Sequence, residues 1–187
     1  HTVVLDRIEV VKPKSRRNIL VRQVYQYPLV LLSLFSSRFR RWWLERYPQP
    51  EDDIQPLTQP DVSRFDHVCL GGPKWCYISY PVARYLKQVR GLQGKELSAF
   101  STFGGPPLEV FELELLFEPL RARIQRRGAA LVATLGISSN YHELSALPVF
   151  RLVTRIKYGR PLESFTIDSD YGREQVKSFC DRIGRSS

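Results

Sequence analysis

The sequence predicts one α/β domain built on a parallel sheet, and three observations carry that reading. Short apolar runs at 66–70, 96–102 and 129–135 each stop at a glycine- or proline-rich turn. Stretches with apolar residues at helical spacing lie between them, as in strand–helix–strand units. A length of 187 residues suffices for one substantial core and is short for two, so residues 1–187 are read as a single domain with insertions.

The elements follow in order. Residues 2–11 read as a strand, because Val3, Val4, Leu5, Ile8, Val10 and Val11 are β-branched or aliphatic and Pro13 ends the run. Residues 18–60 form an insertion. Its first part, 18–47, is mostly helical, broken at Pro28 and finished before Pro48. Its second part is an irregular connection through Pro48, Pro50, Pro56 and Pro60. The run 66–70, halted by Gly71-Gly72-Pro73, has the pattern of a strand buried on both faces.

A helix starts near Pro81, carries Val82, Tyr85, Leu86 and Val89, and ends around Gly91. The next strand, 96–102, halts at Gly104-Gly105-Pro106-Pro107. Leu108, Phe111, Leu115, Leu120 and Ile124 then mark a helix over 108–125, which Pro119 should kink or restart. Gly128 is a natural helix stop before the strand at 129–135. A second insertion spans 137–165, and a last helix at about 172–183 carries Val176, Phe179, Cys180 and Ile183.

Composition narrows the class. The chain has no Met and begins inside an apolar run, which reads as a fragment. No segment has the layout of a secretory signal, and the longest apolar run, 28–35, is too short to span a bilayer. Cys69, Cys76 and Cys180 are an odd count without zinc or redox spacing, so a reducing compartment is expected: a cytoplasmic protein, or one peripheral to a membrane. His1, His67 and His142 add no metal pattern.

The formal net charge of +9 is concentrated between Lys12 and Arg46, where Arg38, Arg40 and Arg41 neighbour Trp42 and Trp43. Such a surface attracts an acidic protein, an acidic lipid face or a phosphorylated cofactor. The blander alternative is a helical lid whose apolar side packs on the domain itself. Nucleic acid is not expected as a partner, because no recognised binding motif accompanies the charge.

In a parallel sheet, ligands bind beyond the carboxyl ends of the strands. The loops there are Gly71-Gly72-Pro73-Lys74-Trp75-Cys76-Tyr77, leading to Pro81, and Thr102-Phe103-Gly104-Gly105. Their glycines let backbone approach a flat ligand, and Trp75 or Tyr77 can stack on it. Each turn alone is ordinary; their joint placement at strand ends is what points to a ligand. Cys76 and His67 read more simply as an inert thiol and a satisfied core or edge histidine. His142, with Tyr141 and Glu143, lies on the ligand side and is a candidate for contact with substrate or a flavin edge.

These pieces, with Pro81-Val82-Ala83-Arg84-Tyr85-Leu86, Gly94-Lys95 and Phe100-Ser101-Thr102-Phe103-Gly104-Gly105, resemble the flavodoxin family. The resemblance is clearest over 65–135. It implies a three-layer sandwich with strand order 2-1-3-4-5 and a flavin mononucleotide held by the two loops. Gly72, Pro73, Lys74, Trp75 and Tyr77 match the first loop; Thr102, Phe103, Gly104 and Gly105 match the second. The implied role is electron transfer or flavin-dependent oxidoreduction with a redox partner protein or a small-molecule substrate, and a homodimer stays open. A more distant likeness, to dialkylresorcinol condensing enzymes, rests on the placement of the first insertion.

Departures from the family are equally specific. If 2–11 is the family's second strand, its first strand and phosphate loop lie upstream of residue 1. The basic charge is also unlike an ordinary electron carrier. The competing reading is therefore a cofactor-free subunit of the same fold, docking through the basic insertion on a protein or membrane surface.

Overall fold

The computed structural model describes residues 3–11, 32, 36–46, 51–74, 77–139 and 147–186. Strands β1 (His67–Pro73), β2 (Glu96–Phe103) and β3 (Ala130–Ser138) pair in parallel in the order β1-β2-β3. His67 stands opposite Glu96 and Pro73 opposite Thr102; Phe103 stands opposite Ser138, past an irregularity at Leu97 and Ser98. The carboxyl ends are thereby level. Gly71-Gly72-Pro73 and Gly136, expected to halt their strands, instead continue β1 and β3, because their backbones pair with β2, and Gly104-Gly105 lie past the end of β2.

Helix α1 (Ser37–Arg46) lies in the first insertion. Helix α2 (Tyr80–Gln88) follows β1, α3 (Leu115–Arg126) precedes β3, and α4 (Leu147–Tyr158) and α5 (Asp170–Ser186) follow it. Pro81 sits in the first turn of α2, where no intrahelical N–H is needed. The irregularity expected at Pro119 falls ahead of it, as a π-helix over Glu109–Glu114. Gly128 adopts φ +72°, the left-handed geometry a helix stop requires. The second insertion folds in part as α4 and a 3-10 turn, Leu162–Phe165.

One face of the sheet presents Leu70, Leu97, Ala99 and Leu131 to Val82, Ala83 and Leu86 of α2 and to Leu116, Leu120 and Ile124 of α3. The opposite face buries Ala133 and Leu135 of β3 under Phe179 of α5. Cover stops there. Cys69 and Gly71 of β1 are exposed and Phe100 of β2 is 43 % exposed. The sequence expectation that β1 is buried on both faces is thus corrected, because one helix is about as wide as two strands and α5 packs on β3.

Residues 3–11 do not join the sheet as the sequence reading expected. They run extended past the 51–55 connection and make a single antiparallel bridge, Val10 with Ile54, flanked by the bonds Val11 N–H to Asp53 O and Gln55 N–H to Glu9 O. Ile8 packs on the core while Val3 and Leu5 face solvent. Among the described residues, no helix is long and apolar enough to cross a membrane.

Candidate functional site

The carboxyl ends of the strands are knitted into one surface. Lys74 N–H donates to Thr102 O at 2.9 Å and Ser139 N–H to Phe103 O at 2.8 Å. The Ser101 hydroxyl donates to Gly72 O at 2.8 Å and that of Ser138 to Gly105 O at 2.6 Å. Short hydroxyl side chains at strand ends suit this task, since they reach a neighbouring carbonyl without filling the space in front of it.

Behind this surface lies an ion pair. Lys74 Nζ donates to Glu112 Oε2 at 2.6 Å, with the two side chains 5 % and 4 % exposed. Glu112 comes from the π-helix, a geometry that frequently accompanies functional sites. Gly105 makes room for it: a Cβ there would lie 2.9 Å from Glu112 Oε1 and 3.0 Å from the Phe150 ring.

Helix α1 docks at the same end. Trp43 Nε1 donates to the Tyr77 hydroxyl at 2.7 Å, and Trp43 and Leu44 pack against Tyr77 and Leu115. Arg40 Nε meets Glu114 Oε2 of the π-helix at 3.0 Å. The opposite side of α1 faces water with Arg38, Arg41 and Trp42, the last 48 % exposed. Of the expected partner-binding residues, Arg40 and Trp43 therefore anchor the helix, and Arg38, Arg41 and Trp42 remain outside.

The expected flavin contacts divide in the same way. Pro73 is exposed, and Gly72, Thr102 and Gly104 are half-buried. Lys74, Tyr77, Phe103 and Gly105 are turned into the protein. Trp75, Cys76 and His142 lie outside the described residues.

The sequence reading missed Glu112 and the Trp43–Tyr77 bond. A signal for Glu112 existed, since it falls four residues after Leu108 and four before Leu116, an acid on an apolar helical stripe. No local pattern pairs Trp43 with Tyr77.

A second polar cluster lies on the face of the sheet that α5 packs against. His67 Nε2 meets Ser98 Oγ at 2.8 Å, and Cys69 stands opposite Ser98. Burial lowers the pKa of His67, opposed by the nearby Glu96 carboxylate. Desolvation raises the Cys69 thiol, a Ser98 hydrogen bond partly offsets it, and Cys180 raises it further. Among the described residues, no group of three or more His, Cys, Asp or Glu is placed to hold a metal ion.

Comparison with models of known families, with curated proteins and with solved structures returns no match. The likeness to flavodoxins rests on the residues quoted above, and the class the fold defines is α/β with a parallel sheet.

Proposed function

We propose that this is a flavodoxin-like redox domain that takes flavin mononucleotide at the carboxyl end of its sheet. The single observation that carries the reading is the Lys74 N–H to Thr102 O bond, which sets the chain leaving β1 beside the end of β2, where open α/β sheets take ligands. Gly72, Pro73, Thr102 and Gly104 would hold the ring edge. Bound there, the flavin supplies electron or hydride transfer, to a redox partner protein or a small-molecule substrate.

The chain's own residues position and shield. The Lys74–Glu112 pair and the Ser138 bond to Gly105 stiffen the turns, and α1 excludes water from one side through Trp43. In this reading β1, β2 and β3 are the third, fourth and fifth strands of a 2-1-3-4-5 order, and the protein is cytoplasmic. The test is titration of flavin mononucleotide into the protein expressed from its whole reading frame. Saturable binding that weakens with Thr102→Val supports the reading; a colourless protein that ignores flavin refutes it.

A second reading has its own observation. Because Arg40 and Trp43 fasten α1 from within, Arg38, Arg41 and Trp42 form a fixed basic and aromatic outer face. A cofactor-free docking subunit would use that face on an acidic protein or an anionic membrane, with binding weakened by salt.

A further inference from the structure

The amino end of the sheet carries a basic cleft with no part in the flavin reading. Its volume is about 430 Å³, and Arg90, Gly91, Leu92, Gln93, Arg126 and Arg127 line it. Arg90 to Gln93 belong to the connection from α2 to β2, and Arg126 and Arg127 close α3 just before β3. The cleft therefore lies a strand length, about 25 Å, from the carboxyl ends of the strands.

Both walls are fixed. Arg90 N–H donates to Pro60 O at 2.9 Å, and Val62 N–H donates to Arg90 O at 3.0 Å. The Arg127 guanidinium donates to Val89 O at 2.6 Å and Gly94 N–H to Gly128 O at 2.8 Å, which ties one connection to the other. A site set in advance loses little entropy when it binds.

The charge in the cleft is unbalanced. Among the described residues, Arg90, Arg126 and Arg127 make no ion pair. The remaining acids belong by sequence to the other end of the sheet: Glu45 is on α1, and Glu143 follows Ser139 by four residues. Two features oppose an anion. The carboxyl ends of α2 and α3 point here, and the Asp61 carboxylate borders Gly91, where a Cβ would lie 2.6 Å from its Oδ1. Asp61 accepts the Ser63 N–H at 2.8 Å. The two helix ends and Asp61 amount to about two negative charges against three guanidiniums, whose planar forks match phosphate oxygens. Arg126 suits the end of its own helix, but Arg90 comes from a different connection and turns to the same cleft.

The size is that of a small-molecule site, for which about 300–1,000 Å³ is usual. Among the described residues, none that lines it is aromatic, and Leu92 is only 2 % exposed, so the cleft offers a base or other ring nothing to stack on. We propose that it binds the polyphosphate of a small molecule, either inorganic pyrophosphate or the tail of a nucleoside triphosphate, through Arg90, Arg126 and Arg127, with the Gln93 amide as a further donor.

The site is remote from the flavin loops, so its test omits flavin. Sodium pyrophosphate is titrated into the isotope-labelled protein, expressed from its whole reading frame, at about 0.15 M salt. Adenosine triphosphate and a double-stranded DNA oligonucleotide are compared with it. The expected result is saturable binding with amide shifts centred on Gly91, Gln93 and Gly128. Arg90→Gln with Arg126→Gln should weaken it about a hundredfold, roughly tenfold for each charged hydrogen-bonding group removed, at an unchanged urea midpoint. Pyrophosphate bound more tightly than the nucleotide assigns the inorganic ion, and a nucleotide bound as tightly or more assigns its tail. An absence of saturable binding, shifts centred elsewhere, or binding that survives the double variant overturns the proposal. DNA bound more tightly than either assigns the cleft to a macromolecule and overturns it as well.

Discussion

Trp43 donates its indole N–H to the Tyr77 hydroxyl across 2.7 Å, and this bond joins the basic helix to the loop that follows β1. Tyr77 is fully buried, so the loop and α1 share one packing unit with Leu44 and Leu115. The helix is held inward through Trp43 and Arg40, while Arg38 and Arg41 face outward.

Tyr77→Phe removes the acceptor while keeping the ring. The expected cost is about 1 kcal/mol, the net worth of one hydrogen bond, read as a lower urea midpoint with unchanged slope. An unchanged midpoint would mean that the bond does not fasten α1.

Lys74→Met leaves the Glu112 carboxylate in a site only 4 % exposed. Removing one partner of a buried pair typically costs about 3–5 kcal/mol, whereas replacing both by apolar residues is often neutral. Chemical denaturation should therefore show a large loss for Lys74→Met and recovery of most of it in Lys74→Met with Glu112→Leu. Equal losses in both variants would contradict the account.

His67 sets a pH dependence. Burial favours its neutral form, so the unfolded chain binds the proton more readily than the folded one. Its contribution is present above the ordinary histidine value of 6.5 and is lost as pH falls below it. His67→Gln should flatten the fall in thermal stability between about pH 7 and pH 5.5, the window around the ordinary histidine value. A fall as steep as in the parent protein would assign the dependence elsewhere.

Much of this architecture was legible because glycine and proline punctuate it. The segment Gly104 to Pro107 closes β2 and Gly128 marks a left-handed helix stop, whereas Gly71 to Pro73, expected to halt the first strand, lie within β1. What escaped depends on non-local contact. Residues 3–11 have strand composition, but the backbone they meet is the 51–55 connection and not β1. Tyr77 and Phe103 look like stacking aromatics in a loop, and only packing turns them into the core.

Charge reversal on the outer side of α1 separates its two faces. Arg38→Glu with Arg41→Glu should leave stability within about 0.5 kcal/mol, as for surface changes in general. The same variant should lose any binding to phosphatidylserine vesicles that the parent shows. Destabilisation instead would mean that these arginines pack on the domain.

The central claim is that the carboxyl end of this sheet takes a flavin, and titration of flavin mononucleotide into the protein from its whole reading frame tests it most directly. The account predicts saturable quenching of flavin fluorescence, weakened by Thr102→Val and by Pro73→Glu while the fold is retained. An absence of saturable binding in a protein that is folded by circular dichroism would contradict the flavin reading and leave the outer face of α1 as the surface to pursue.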